Sequence, residues 1–165
     1  ESFLPPSNTQ NLYVWSRNLT EMRKIMAKKC DIRICAGGRL TGYKGIMPGV
    51  LEEILLANQM NQPLFLLGGF GGITASVCEA IQSQSIPKEL TKDWQVENNA
   101  GYKELLDLYS ERNPDIINYN KISESIIKLN INNGLTKEEN LKLFSTPFID
   151  EALYFVFRGL QNLLS

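Results

Sequence analysis

Nine of the twelve glycines in this 165-residue chain lie between Gly37 and Gly72, in two clusters. The first runs Gly37-Gly38-Arg39-Leu40-Thr41-Gly42-Tyr43-Lys44-Gly45-Ile46-Met47-Pro48-Gly49, and the second is Gly68-Gly69-Phe70-Gly71-Gly72. Each follows a short apolar run and opens a segment with helical spacing. Glycine loses more backbone entropy on folding than any other residue, so such a concentration needs a physical reason. The usual reason is a backbone brought close to a ligand, often a phosphate, at a helix N-terminus. A nucleotide-type ligand is the leading expectation.

The spacing predicts strands at 12–15, 32–36 and 64–67, the last a continuous apolar run of the kind a sheet buried on both faces requires. Asn18 with Glu21 reads as a cap for a helix to about Lys29, carrying Leu19, Met22, Ile25 and Met26 on one face. Pro48 suits the first turn of a second helix, and a third runs from Ile73 to about Ser83. The expected fold class is α/β, a parallel Rossmann-like sheet with helices on both faces. In such sheets ligands sit beyond the C-terminal strand ends, where both glycine clusters fall. Residues 1–11 read as a linker or tail and 12–83 as the α/β core. Residues 84–165 read as a mostly helical extension packing on that core.

Within that extension, helices are expected at about 101–111 and 121–130. Thr136 with Glu139 forms a capping box for another, and Thr146-Pro147 begins the last. Ile149, Leu153, Val156, Leu160 and Leu164 form an apolar stripe expected to pack on the same sheet. Three strands make a thin sheet. Further strands are expected from upstream chain or from a partner, and the start at Glu1 instead of Met suggests a processed chain or a piece of a longer one.

Charge and composition remove several functions. The net charge of −1 gives no footprint for polymeric nucleic acid. The absence of histidine removes Ser-His-Asp and Cys-His nucleophilic systems and histidine metal ligands. Cys30 and Cys35 are not at a metal-finger spacing, and Cys30, Cys35 and Cys78 read as buried reduced thiols that behave like small hydrophobes. An odd cysteine count without a secretion signal points to the cytoplasm. No segment reads as membrane-spanning, and no metal or cofactor motif is found.

Five charged residues are candidates for the site. Arg23 could fork onto a phosphate or carboxylate. Arg39 and Lys44 lie in the first glycine loop. Glu52 and Glu53 point about 100° apart on one helix, so at most one faces a cleft fully. That one could accept ribose hydroxyls or activate water; a carboxylate there also simply complements the helix dipole. The loop is neither a P-loop nor a Gly-x-Gly-x-x-Gly dinucleotide motif.

Residues 17–81 resemble the second half of the SLOG superfamily, which includes the LOG phosphoribohydrolases and the DNA-processing protein DprA. Arg23-Lys24-Ile25-Met26 stands at the Arg-Lys helix of LOG enzymes, and Ala36-Gly37-Gly38 stands at their Pro-Gly-Gly. Gly49-Val50-Leu51-Glu52-Glu53 stands at Gly-Thr-x-x-Glu, with Glu53 at the acidic position. The loop between Gly38 and Gly49 is longer than in LOG enzymes. Ala36 replaces proline, Val50 replaces threonine, and the second cluster differs. In these respects the chain is closer to SLOG domains proposed as ligand sensors in bacterial antiviral systems, which accompany TIR or sirtuin-like NAD hydrolases.

The resemblance implies a sensor of an NAD- or ADP-ribose-related nucleotide, regulating an attached effector. The implied ligand contacts are Arg23, Gly37, Gly38, Arg39, Lys44, Gly49, Glu53, Gly69, Gly71 and Gly72. The implied partners are an upstream effector domain of the same protein and further copies of the chain. The alternative is a LOG-like phosphoribohydrolase, in which Glu53 activates water and Arg23 orients a phosphate during N-glycosidic cleavage.

Overall fold

The structure is a computed structural model and describes residues 4–112 and 117–165. Residues 1–3 of the expected tail lie outside the described residues.

The first helix, α1 (Thr9–Ala27), takes in residues 12–15, which the sequence pattern assigned to a strand. It starts at Asn8, whose side chain accepts from the backbone N–H of Asn11. The expected cap at Asn18 therefore lies inside the helix. A three-residue spacing decides this. The helical turn puts Tyr13 and Ser16 on one buried face, against Tyr109. Packing overrides the strand propensity of Tyr13, Val14 and Trp15.

Two strands form the sheet. β1 (Arg33–Ala36) and β2 (Leu64–Leu67) run parallel, with Arg33 beside Leu64 and Ala36 beside Leu67. Between them lie the first glycine loop and α2 (Gly49–Gln59). After β2, a single 3-10 turn over Gly68–Phe70 leads into α3 (Gly72–Ser83). The fold is thus helix-rich α/β with a small parallel sheet, one strand fewer than expected among the described residues.

The strand faces separate two cores. Cys35, Leu64 and Leu66 pack with Leu51 and Ile54 of α2 and Ile73 and Val77 of α3. Phe65 and Leu67 face the other way, into a smaller cluster with Leu143, Ala152, Phe155 and Val156. Every residue of β2 is buried, which explains its unbroken apolar run. β1 is covered on one face only: Cys35 is buried, whereas Ile34 and Ala36 are exposed.

The second half adds α4 (Lys92–Asn98), α5 (Tyr102–Arg112), α6 (Tyr119–Ile127), α7 (Lys137–Ser145) and α8 (Ile149–Leu164). The Thr136–Glu139 capping box at the start of α7 is formed as expected. α4 has no counterpart in the sequence reading. The stripe on α8 also differs from expectation. Val156 is buried, but Ile149, Leu153 and Leu164 are exposed. The helix seats itself through Ala152, Phe155, Val156 and Gly159. Gly159 permits this: a Cβ there would lie 2.6 Å from the Phe65 ring. Small residues let α8 lie closer to the sheet than the larger side chains of the stripe would.

Among the described residues, no helix is long and apolar enough to cross a membrane.

Candidate functional site

The first glycine loop leaves β1 through two left-handed residues, Gly37 (φ +61°) and Gly38 (φ +95°). A side chain at Gly38 would collide with Ile73 and Val50. The carbonyl of Gly38 accepts from Ile73 N–H at 3.1 Å. The carbonyl of Gly37 accepts from Thr74 N–H and from the Thr74 hydroxyl, both at 2.9 Å. The two glycine clusters are therefore tied together by the first turn of α3. Those N–H groups, which would otherwise face a ligand, are already used.

The start of α2 differs. Pro48 precedes it and no side chain caps it. This is the helix start to which the long loop delivers the chain, and its unpaired N–H groups favour an anion. Arg39 and Lys44 are exposed in the loop leading there. Glu53 lies one turn inside the helix.

Arg23 reaches this place from α1, but it is enclosed. Its Nη1 donates to Glu52 Oε2 at 2.6 Å, and Thr20 donates its hydroxyl to the other Glu52 oxygen. The guanidinium lies directly beneath the loop: a Cβ on Gly49 would come within 2.5 Å of Arg23 Nη2, and one on Gly45 within 3.3 Å of Nη1. Gly49, and less tightly Gly45, thus leave room for the Arg23 guanidinium. Arg23 acts as the floor that fixes the loop.

Glu53 stands between two arginines. Arg23 Nε is 3.6 Å from its Oε1, and Arg33 Nη1 donates to its Oε2 at 3.3 Å. Its side chain is 27% exposed, against 7% for Glu52. Of the two neighbouring carboxylates, Glu52 is the more buried and Glu53 the more exposed. Arg33 Nε and Nη2 and Arg23 Nε are buried without a hydrogen-bond acceptor, so this corner carries more donors than acceptors.

The second cluster serves two purposes. Gly68 and Gly69 admit the backbone of the C-terminal half; a Cβ on Gly69 would fall 1.8 Å from the Thr146 carbonyl oxygen. Gly71 (φ +75°) has open space where a Cβ would be, and Gly72 packs on Gly37 and Gly38. Among the second-cluster residues expected at the site, Gly71 thus faces free space and Gly69 faces protein.

The helices after the α/β core hold the loop in shape. Asn99 accepts from Gly42 N–H at 2.8 Å, and Gln95, almost fully buried, accepts from the Tyr43 hydroxyl at 2.6 Å. Tyr102 donates to the Ile46 carbonyl at 2.7 Å and meets the Tyr119 hydroxyl at 2.7 Å. Burial raises the pKa of Tyr43, Tyr102 and Tyr119, so these hydroxyls stay protonated and available as donors. Sequence reasoning missed Arg33, Asn99 and Tyr102, because a long-range hydrogen bond has no local spacing. Arg33 alone carried a local signal: a cation at the start of an otherwise apolar strand.

Burial pushes the Cys35 and Cys78 thiols up to about 12. They are inert core residues, as expected, whereas Cys30, at the end of the turn after α1, is only partly buried.

A family model described as SLOG cluster2 matches residues 1–143. No curated protein and no solved structure matches the chain.

Proposed function

The chain belongs to the SLOG superfamily, and from that premise we propose that it senses a nucleotide-derived ligand, one related to NAD or ADP-ribose. The observation that carries this reading is the uncapped start of α2 at the end of the glycine loop, with the part-exposed carboxylate of Glu53 one turn inside. A phosphate would sit on the first N–H groups of α2, near Gly49, with the exposed Arg39 and Lys44 supplying positive charge. Gly37 and Gly71 would let it approach the backbone, while Gly38, against Ile73 and Val50, would shape the turn. Glu53 would accept ribose hydroxyls. Arg23 would act by holding the loop, since its guanidinium is committed to Glu52.

The ligand would regulate an effector carried on the same polypeptide, of the TIR or sirtuin-like kind, in bacterial antiviral defence. Self-association would transmit the signal. Such control requires a ligand that binds one of two states more tightly.

Calorimetry with ADP-ribose, cyclic ADP-ribose isomers and NAD tests the reading. Saturable binding with the nucleotide recovered intact is expected. If none of them binds the complete protein, the sensor reading fails. Free base released on incubation, and lost in Glu53→Gln, would instead establish the phosphoribohydrolase reading.

A further inference from the structure

A cavity of about 540 Å³ opens between α1, α2, α5 and α6. None of the residues proposed to contact the nucleotide lines it. Its volume falls within the roughly 300–1,000 Å³ of small-molecule sites.

The floor is apolar and aromatic. Ile46, Met47, Leu55 and Leu56 contribute to it. So does Tyr13, whose ring lies 4.6 Å from that of Tyr109.

The walls carry excess positive charge. Arg17, Lys24, Arg112 and Lys121 line the cavity, against the carboxylates of Glu21 and Glu52. Both carboxylates are already engaged, Glu21 with Lys24 at 2.8 Å and Glu52 with Arg23. Arg17, Arg112 and Lys121 form no salt bridge among the described residues, although Arg17 lies within electrostatic reach of Glu21 and Arg112 donates to the Gln10 amide oxygen at 2.9 Å. Two of these approach the same ring: the guanidinium carbon of Arg112 lies 4.6 Å from the Tyr13 centroid and that of Arg17 lies 5.8 Å away. Cation–π attraction holds both there, although they repel each other. An anion between them would relieve that repulsion. Solvated surface cations need no cavity beneath them, whereas these surround one with an apolar floor.

We propose that this cavity is a second ligand site, for a small organic anion carried on a planar apolar body. Arg17, Arg112 and Lys121 take the carboxylate or phosphate. Tyr13, Met47 and Leu56 take the body, and amides such as Asn58 orient it. The site is independent of the glycine cleft and does not rest on the sensor reading.

The test is titration of the ¹⁵N-labelled chain with 2-naphthyl phosphate and 2-naphthoate, followed by amide chemical shifts. Saturable shifts at Asn58, Ile122 and Ser125 are expected for at least one of the two. The double variant Arg17→Glu/Lys121→Glu weakens that binding at least tenfold. Lys137→Glu, a similar charge change on exposed α7, leaves it within twofold. Both positions of the double variant are exposed, so the fold is retained, which circular dichroism checks. Shifts confined to Gly37–Lys44 and Gly68–Gly72, equal affinity in the double variant, or no saturation with either probe would each overturn the proposal.

Discussion

Arg23 and Glu52 lie 29 residues apart in sequence, yet their side chains meet at 2.6 Å with 11% and 7% of their surfaces exposed. The pair joins α1 to the first turn of α2 directly beneath the glycine loop. It therefore ties α1 to the loop residues Gly45 and Gly49 as well as to α2.

Removing one partner leaves the other buried and uncompensated. Arg23→Ala is expected to cost about 3–5 kcal/mol in urea unfolding, whereas the joint replacement Arg23→Met/Glu52→Leu costs less than either single change. A loss below about 1 kcal/mol for Arg23→Ala would show that the pair is not structural.

Glu52→Gln and Glu53→Gln separate the two carboxylates. Glu52→Gln loses a buried charged hydrogen bond and destabilises by about 2 kcal/mol or more. Glu53→Gln acts on a longer pair but leaves Arg33, whose side chain is 11% exposed, without its carboxylate; it is expected to cost about 1–2 kcal/mol, less than Glu52→Gln, and, on the proposed function, to weaken nucleotide binding. The reverse order of stabilities would contradict the assignment of Glu52 as the buried partner of Arg23.

Asn99→Ala withdraws the acceptor from Gly42 N–H. A loss of about 1–2 kcal/mol is expected, with faster hydrogen exchange at Gly42 and neighbouring loop amides. Unchanged exchange at Gly42 would mean that α4 does not restrain the loop.

Gly159→Ala forces a methyl group to within 2.6 Å of the Phe65 ring and 2.5 Å of the Asn133 carbonyl oxygen. Thermal unfolding should register a loss of about 1–3 kcal/mol, since α8 must rise from β2. A stabilising effect, as expected for an ordinary glycine in a helix, would show that the close approach is absent.

Stability should fall at alkaline pH. Cys35 and Cys78 titrate near 9 when unfolded and are pushed up to about 12 by burial. The unfolded chain releases these protons first, so their contribution is complete below about pH 9 and is lost as pH climbs toward 12. The buried tyrosines act in the same direction above about pH 10. The urea midpoint, followed from pH 8 to 11, measures this. Replacing both cysteines by alanine should flatten the lower part of the curve.

Much of the local architecture was legible in the sequence. The apolar run of β2, the helix after Pro48, the Thr136–Glu139 capping box and the glycine-mediated turn after β1 all rest on interactions within a few residues. The helix over residues 12–15 was not legible, because Tyr13 and Ser16 reveal their shared face only against Tyr109. The position of α8 was also hidden: its seat is made by alanine and glycine, which hydrophobic periodicity underweights.

The sequence alone determined where the backbone must be free to bend and which helix starts the glycine loops feed. Those properties follow from covalent geometry, from glycine's missing Cβ and from proline's fixed φ. Only the tertiary structure decided that Glu52 is the buried partner of Arg23 and Glu53 the more exposed carboxylate, beside Arg33. It also decided that Asn99 and Tyr102 hold a loop some 56 residues away. Adjacent glutamates are chemically identical in sequence. The packing of α1 against α2 makes them different, because only one of the two helical directions points into the buried seam.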